Sequence, residues 1–121
     1  MKRAVLFSAV ALVLMLVVAG CGGGGSAAGG NEIKLTGTDY KFAPAEITVK
    51  RGEAITIALE NKGSVEHDWV AEAINAKFAA VVKPGQTGKL TFTANQAGTF
   101  DFHCTVPGHK ELGMVGKITV Q

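Results

Sequence analysis

From Glu32 to Gln121 the chain is a succession of short runs in which apolar and polar residues alternate, bounded by glycine, proline or asparagine. A period of two puts every second side chain on the same face, so each run reads as a half-buried strand. The candidates are Glu32–Thr38, Ile47–Lys50, Ala54–Glu60, Val65–Val70, Lys89–Thr93, Thr99–Cys104 and Val115–Val120. Arg51-Gly52-Glu53, Asn61-Lys62-Gly63 and the stretch from Lys83 to Gly88, which holds Pro84 and Gly85, mark the turns between them. Only Ala71–Val82, rich in alanine, departs from the pattern, as a short helical or irregular excursion. Seven or eight strands at intervals of about 8–12 residues predict an all-β, antiparallel β-sandwich.

The first thirty-one residues cannot belong to that core. Met1-Lys2-Arg3 is a charged start, and Ala4–Ala19 is apolar apart from Ser8. This is the plan of a secretory signal, and the run is short for a membrane span of about 20 residues. Val18-Ala19-Gly20-Cys21 resembles the lipobox of bacterial lipoproteins. That resemblance implies a signal peptide over 1–20, lipidation of Cys21, and a membrane-anchored protein outside the cytoplasm. Residues 22–31 are glycine, serine, alanine and asparagine only, the composition of a flexible tether with a reach of roughly 17 Å. The domain is then 32–121. The net charge of +2 comes from Lys2 and Arg3, since ten basic residues balance ten acidic ones thereafter. That neutrality excludes a basic nucleic-acid face and a polybasic membrane patch.

Chemistry concentrates at the far end. Cys104, His109 and Met114 follow one another with four residues between each pair. A thiolate, an imidazole and a thioether suit copper better than zinc, calcium or magnesium, because a site between soft and borderline preferences serves both copper oxidation states. With Cys21 assigned to the membrane, Cys104 is the domain's single thiol, and outside the cytoplasm a bound metal protects it from oxidation. A trigonal copper site wants a second imidazole, and the chain offers His67 and His103. If Phe102 and Cys104 share a strand face, His103 points to the other. His67, beside the apolar pair Trp69-Val70, is the better candidate.

Taken together, His67-Asp68-Trp69-Val70 and the run from Phe102 to Gly116 resemble the small blue copper proteins of the cupredoxin family, with the four-and-four spacing of auracyanins and rusticyanin. Plastocyanin and azurin carry shorter versions of the loop. The resemblance implies a Greek-key sandwich and one mononuclear type 1 copper held by His67, Cys104, His109 and Met114. It also departs from the family at Asp68, where many members carry Asn to tie the two ligand loops together. An Asp there accepts hydrogen bonds and adds negative charge near the copper. Tyr40, Phe42, Phe78, Phe92, Phe100 and Phe102 read as core.

The function implied is a membrane-tethered electron carrier that cycles copper between two oxidation states, with redox partners docking transiently near His109. Its rim would be Gly108, Leu112, Gly113 and Val115. Copper delivery or tolerance is the second reading. An enzyme with its own substrate would need an open metal position or a second centre, and three histidines do not furnish both.

Overall fold

The computed structural model describes residues 31–121. The signal segment, Cys21 and residues 22–30 of the tether lie outside them. Nine strands are present among the described residues: β1 (Asn31–Thr38), β2 (Lys41–Ala43), β3 (Glu46–Val49), β4 (Ala54–Asn61), β5 (Val70–Ala71), β6 (Ala76–Lys77), β7 (Thr87–Thr93), β8 (Gly98–His103) and β9 (Val115–Val120). They form a four-stranded sheet in the order β2-β1-β4-β7 and a five-stranded sheet in the order β3-β9-β8-β5-β6. The sandwich expected from the alternation is therefore present. Its pairing is mixed, because β1 runs parallel to β4 and β3 parallel to β9, while the other pairs are antiparallel. Alternation fixes which face of a strand is buried. It says nothing about which neighbour the strand takes or in which direction.

The core lies between the two sheets. Leu35 on β1 and Ile55, Ile57 and Leu59 on β4 face Ile47, Val49, Phe102, Ile118 and Val120 of the opposite sheet, all buried. Trp69, fully buried just before β5, stacks on Phe92 at 6.0 Å and tilts against Phe102 at 5.3 Å, and Phe42 meets Phe102 edge-on at 5.5 Å. Trp69 thus sits in a chain of aromatic rings that runs through the core from Phe42, opposite Gly37 near the end of β1, to Phe92, opposite Ile55 near the start of β4. Its indole N–H has no hydrogen-bond partner among the described residues. Burying that donor costs about 1–3 kcal/mol, which the ring's burial must offset.

Between β5 and β6 the chain makes one 3-10 turn, Glu72–Ile74, closed by Asn75 in the left-handed region at φ 54°. This is the short helical excursion expected between Ala71 and Val82. The proposed strand Val65–Val70 is not continuous. Only Val70 and Ala71 join a sheet, and His67 makes an isolated two-bond bridge with Val82. The segment before Val70 is instead held by that bridge and by the Asn61 side chain, with His67 buried.

Candidate metal centre

Strand parity delivers Cys104. Phe102 is inward on β8 and fully buried, His103 is half-buried and pairs with Val70 and Val115, and Cys104 turns inward again with 1% exposure. The Cys104 amide donates to the Met114 carbonyl at 3.1 Å, extending the β8–β9 ladder one step beyond the His103–Val115 pair. Residues opposite each other on antiparallel strands share a face, so Cys104 and the fully buried Met114 both enter the same end of the core.

The loop between them is a coil with a defined lock. The Met114 amide donates to the His109 carbonyl at 3.0 Å, and the Gly113 amide to the Lys110 carbonyl at 3.0 Å. This nested pair is the Schellman pattern that ends a helical turn, and it places a left-handed residue at its fifth position. Gly113 occupies that position with φ 100°, where a side chain would be strained. The four-residue interval between His109 and Met114 is thus the interval the lock requires. The His109 amide in turn donates to the Val106 carbonyl at 3.1 Å.

His67 arrives from the other loop. Its amide donates to the Val82 carbonyl at 3.1 Å and its carbonyl accepts from the Val82 amide at 2.7 Å. Asn61, buried at the end of β4, braces both sides of this bridge. Its Nδ2 donates to the carbonyls of Val65 at 2.8 Å and Val82 at 2.7 Å, while its Oδ1 accepts from the Gly63 amide at 2.9 Å. The His67 and His109 Nδ1 atoms stand 3.1 Å apart, and Cys104 Sγ lies 3.5 Å from His109 Nδ1. All three side chains are buried, and their donor atoms lie within 4.8 Å of one another. Met114 borders the same space, since a Cβ added at Gly37 would come within 3.6 Å of its methyl and 3.7 Å of His67 Cδ2. His103 is not part of this cluster.

Asp68 ties the two loops. Its Oδ1 accepts from the Thr105 amide at 2.6 Å and its Oδ2 from the Thr105 hydroxyl, while its own amide points at Cys104 Sγ from 3.5 Å. Only 7% exposed, it is not a solvated carboxylate. Two further neighbours carried no signal in the sequence. Tyr40 packs edge-on against His109 at 4.8 Å and His67 at 6.4 Å, closing the site from the β1–β2 turn rather than acting only in the core. Asp39, from the same turn, reaches His67 Nε2 at 2.8 Å.

Burial pushes the Cys104 thiol above its ordinary value of 9.0, against the pull of the Asp68 and Val106 amides, and the Asp68 carboxylate pushes it further. Asp39 goes the other way, down to about 2, chiefly because the Ser64 hydroxyl and amide donate to it, with His67 adding to the effect. Glu32 beside Lys89 and Asp101 beside Lys117 are also lowered. A carboxylate with a depressed folded pKa contributes stability above its unfolded value and loses it as pH falls through the folded one. These carboxylates are therefore expected to contribute stability to the metal-free protein that is lost steadily as pH falls below about 4. Urea unfolding across that range checks it.

The donor set fits a single copper ion. Metal–nitrogen distances near 2.0 Å and metal–sulfur distances near 2.3 Å place donors sharing one ion roughly 3–4 Å apart, and His109 Nδ1 stands 3.1 Å from His67 Nδ1 and 3.5 Å from Cys104 Sγ. Two imidazoles and one thiolate with a thioether alongside are the donors of a blue-copper site. Residues 8–120 match the model of the cupredoxin-like domain, and the chain belongs to that family. It is 35% identical over 99 residues to the copper-resistant cuproprotein CopI of Rubrivivax gelatinosus, covering 67% of this chain and 60% of that protein. It is 32% identical over 118 residues to auracyanin-A of Chloroflexus aurantiacus, covering 74% and 72%. The solved structure of auracyanin A, described as a "blue" copper protein, superposes with a TM-score of 0.66 at 29% identity, covering 74% of this chain and 98% of that one.

Proposed function

We propose that this chain is an electron carrier of the blue-copper type, in which His67, Cys104, His109 and Met114 hold one copper ion. The observation that carries the reading is the convergence of two imidazole Nδ1 atoms and one thiol sulfur in a buried, doubly locked space. Bound there, copper supplies a one-electron couple. The protein's share is to keep the donors still. The Schellman lock, the Asp68–Thr105 clamp and the Asn61 brace fix both ligand loops before any metal binds, so little has to reorganise when the charge changes. Tyr40 and the buried aromatics keep water out. His109 lies nearest the surface of the donors at 7% exposure, and Leu112, 62% exposed in the same loop, would form part of the rim where a redox partner docks. A lipid on Cys21 and the glycine tether would hold this domain at an extracytoplasmic membrane face.

Loading the full-length protein with one equivalent of copper(II) tests the reading. The expected result is an intense visible band from thiolate-to-copper charge transfer and a reversible one-electron couple. A colourless loaded protein would overturn it. Copper delivery or tolerance is the second reading, favoured by the likeness to CopI, and the chain spans 60% of that protein's length. Rapid handover of the ion to a chelator, with slow electron self-exchange, would select it over the carrier.

A further inference from the structure

Asp39 sits in the turn between β1 and β2, twenty-eight residues from His67 in sequence. Its Oδ1 lies 2.8 Å from His67 Nε2, the ring nitrogen opposite the one that faces His109. Its Oδ2 accepts from the Ser64 amide at 2.8 Å and from the Ser64 hydroxyl, so the carboxylate is held from both sides. Gly63 makes the approach possible. A Cβ there would fall 2.2 Å from Asp39 Oδ1 and 2.8 Å from His67 Nε2, in the space the hydrogen bond occupies.

A neutral imidazole carries one N–H, and the partner of one nitrogen decides which nitrogen keeps the proton. A carboxylate facing Nε2 draws the proton there and leaves the Nδ1 lone pair aimed at the other donors. It also adds a negative charge one ring away from any bound ion, which favours the more positive oxidation state and makes the ring a stronger donor.

We propose that Asp39, held by Ser64 across the bare backbone of Gly63, is a positioning residue that locks His67 as the Nε2–H tautomer and lowers the reduction potential of the site. The second half rests on the copper reading above. The first half does not, because the tautomer exists in the metal-free protein.

Two measurements separate the parts. Ring-nitrogen NMR of the metal-free full-length protein should find His67 protonated on Nε2 in the wild type. In Asp39→Ala, and independently in Gly63→Ala, that preference should be lost. In the copper-loaded protein, Asp39→Asn should raise the potential by about a tenfold change in the oxidised-to-reduced ratio, about 59 mV for one electron. Wild-type His67 protonated on Nδ1, or a tautomer unchanged in both Asp39→Ala and Gly63→Ala, overturns the positioning role. A blue Asp39→Asn protein with an unchanged potential overturns the tuning role. A colourless wild type instead overturns the copper reading and the tuning role with it, while the tautomer measurement still decides the positioning role.

Discussion

Replacing Cys104 by Ala is expected to abolish the visible band of the copper-loaded protein and to weaken copper binding by more than about 100-fold, since losing an outer partner of a ligand alone typically costs 10–100-fold. Cys104 is the one donor of the His67–Cys104–His109 cluster that would become anionic on binding, and its charge transfer to copper would give the colour. The fold should survive. Cys104 is small, and its loss removes a single buried sulfur, a cost of about 1 kcal/mol. His103→Ala is the matched control, adjacent in sequence and outside the cluster, and should leave the band intact. The same logic sets the pH dependence of binding. Burial holds the metal-free thiol protonated at neutral pH, so taking up a metal must release that proton. Affinity for copper(II) should fall about tenfold for each pH unit of acidification. A Cys104→Ala protein that stays coloured, or an affinity indifferent to pH, would remove the thiolate from the site.

The contrast between Cys104 and His103 shows what strand arithmetic can read. Parity needs only the adjacent inward residue, Phe102, and the structure places Cys104 inward and His103 outside the cluster accordingly. The interval from His109 to Met114 was visible as a spacing, and its cause emerged only with the backbone: a Schellman lock with Gly113 at the strained position. His67 was legible as a partner but not as a conformation. Alternation around it suggested a strand, yet its geometry comes from one bridge to Val82 and from Asn61, whose Asn-Lys-Gly context reads simply as a turn. Asp39, Ser64 and Gly63 were invisible for the same reason. Each acts across a long sequence separation, and a polar residue in a turn looks alike whether it faces solvent or an imidazole. The parallel pairs β1–β4 and β3–β9 were hidden because a hydrophobic period encodes a face and not a neighbour.

Gly116→Ala should be the most damaging single-methyl change in the domain, at or above the 1–3 kcal/mol usual for overpacking, against a total stability of about 5–15 kcal/mol. Gly116 lies opposite Phe102 across the β8–β9 ladder, and its φ is unremarkable, so the constraint is space. A Cβ would fall 2.2 Å from Phe102 Cζ and 2.4 Å from both Phe102 Cε2 and the Ala45 carbonyl oxygen. Neither obstacle yields cheaply. The Phe102 ring is fully buried between Trp69 and Phe42, and the Ala45 carbonyl accepts the Lys117 amide at 2.8 Å. The ring must therefore push on Trp69, or β9 must move away from β3, and Cys104 lies two residues beyond that ring. Thermal unfolding of the metal-free variant should show the loss directly. Phe102→Ala should itself cost about 3–5 kcal/mol by leaving a cavity. In the double variant the added methyl enters that cavity, so the two losses should sum to less than their separate values. Strict additivity would mean that the Ala45 carbonyl, and not the ring, is what Gly116 accommodates.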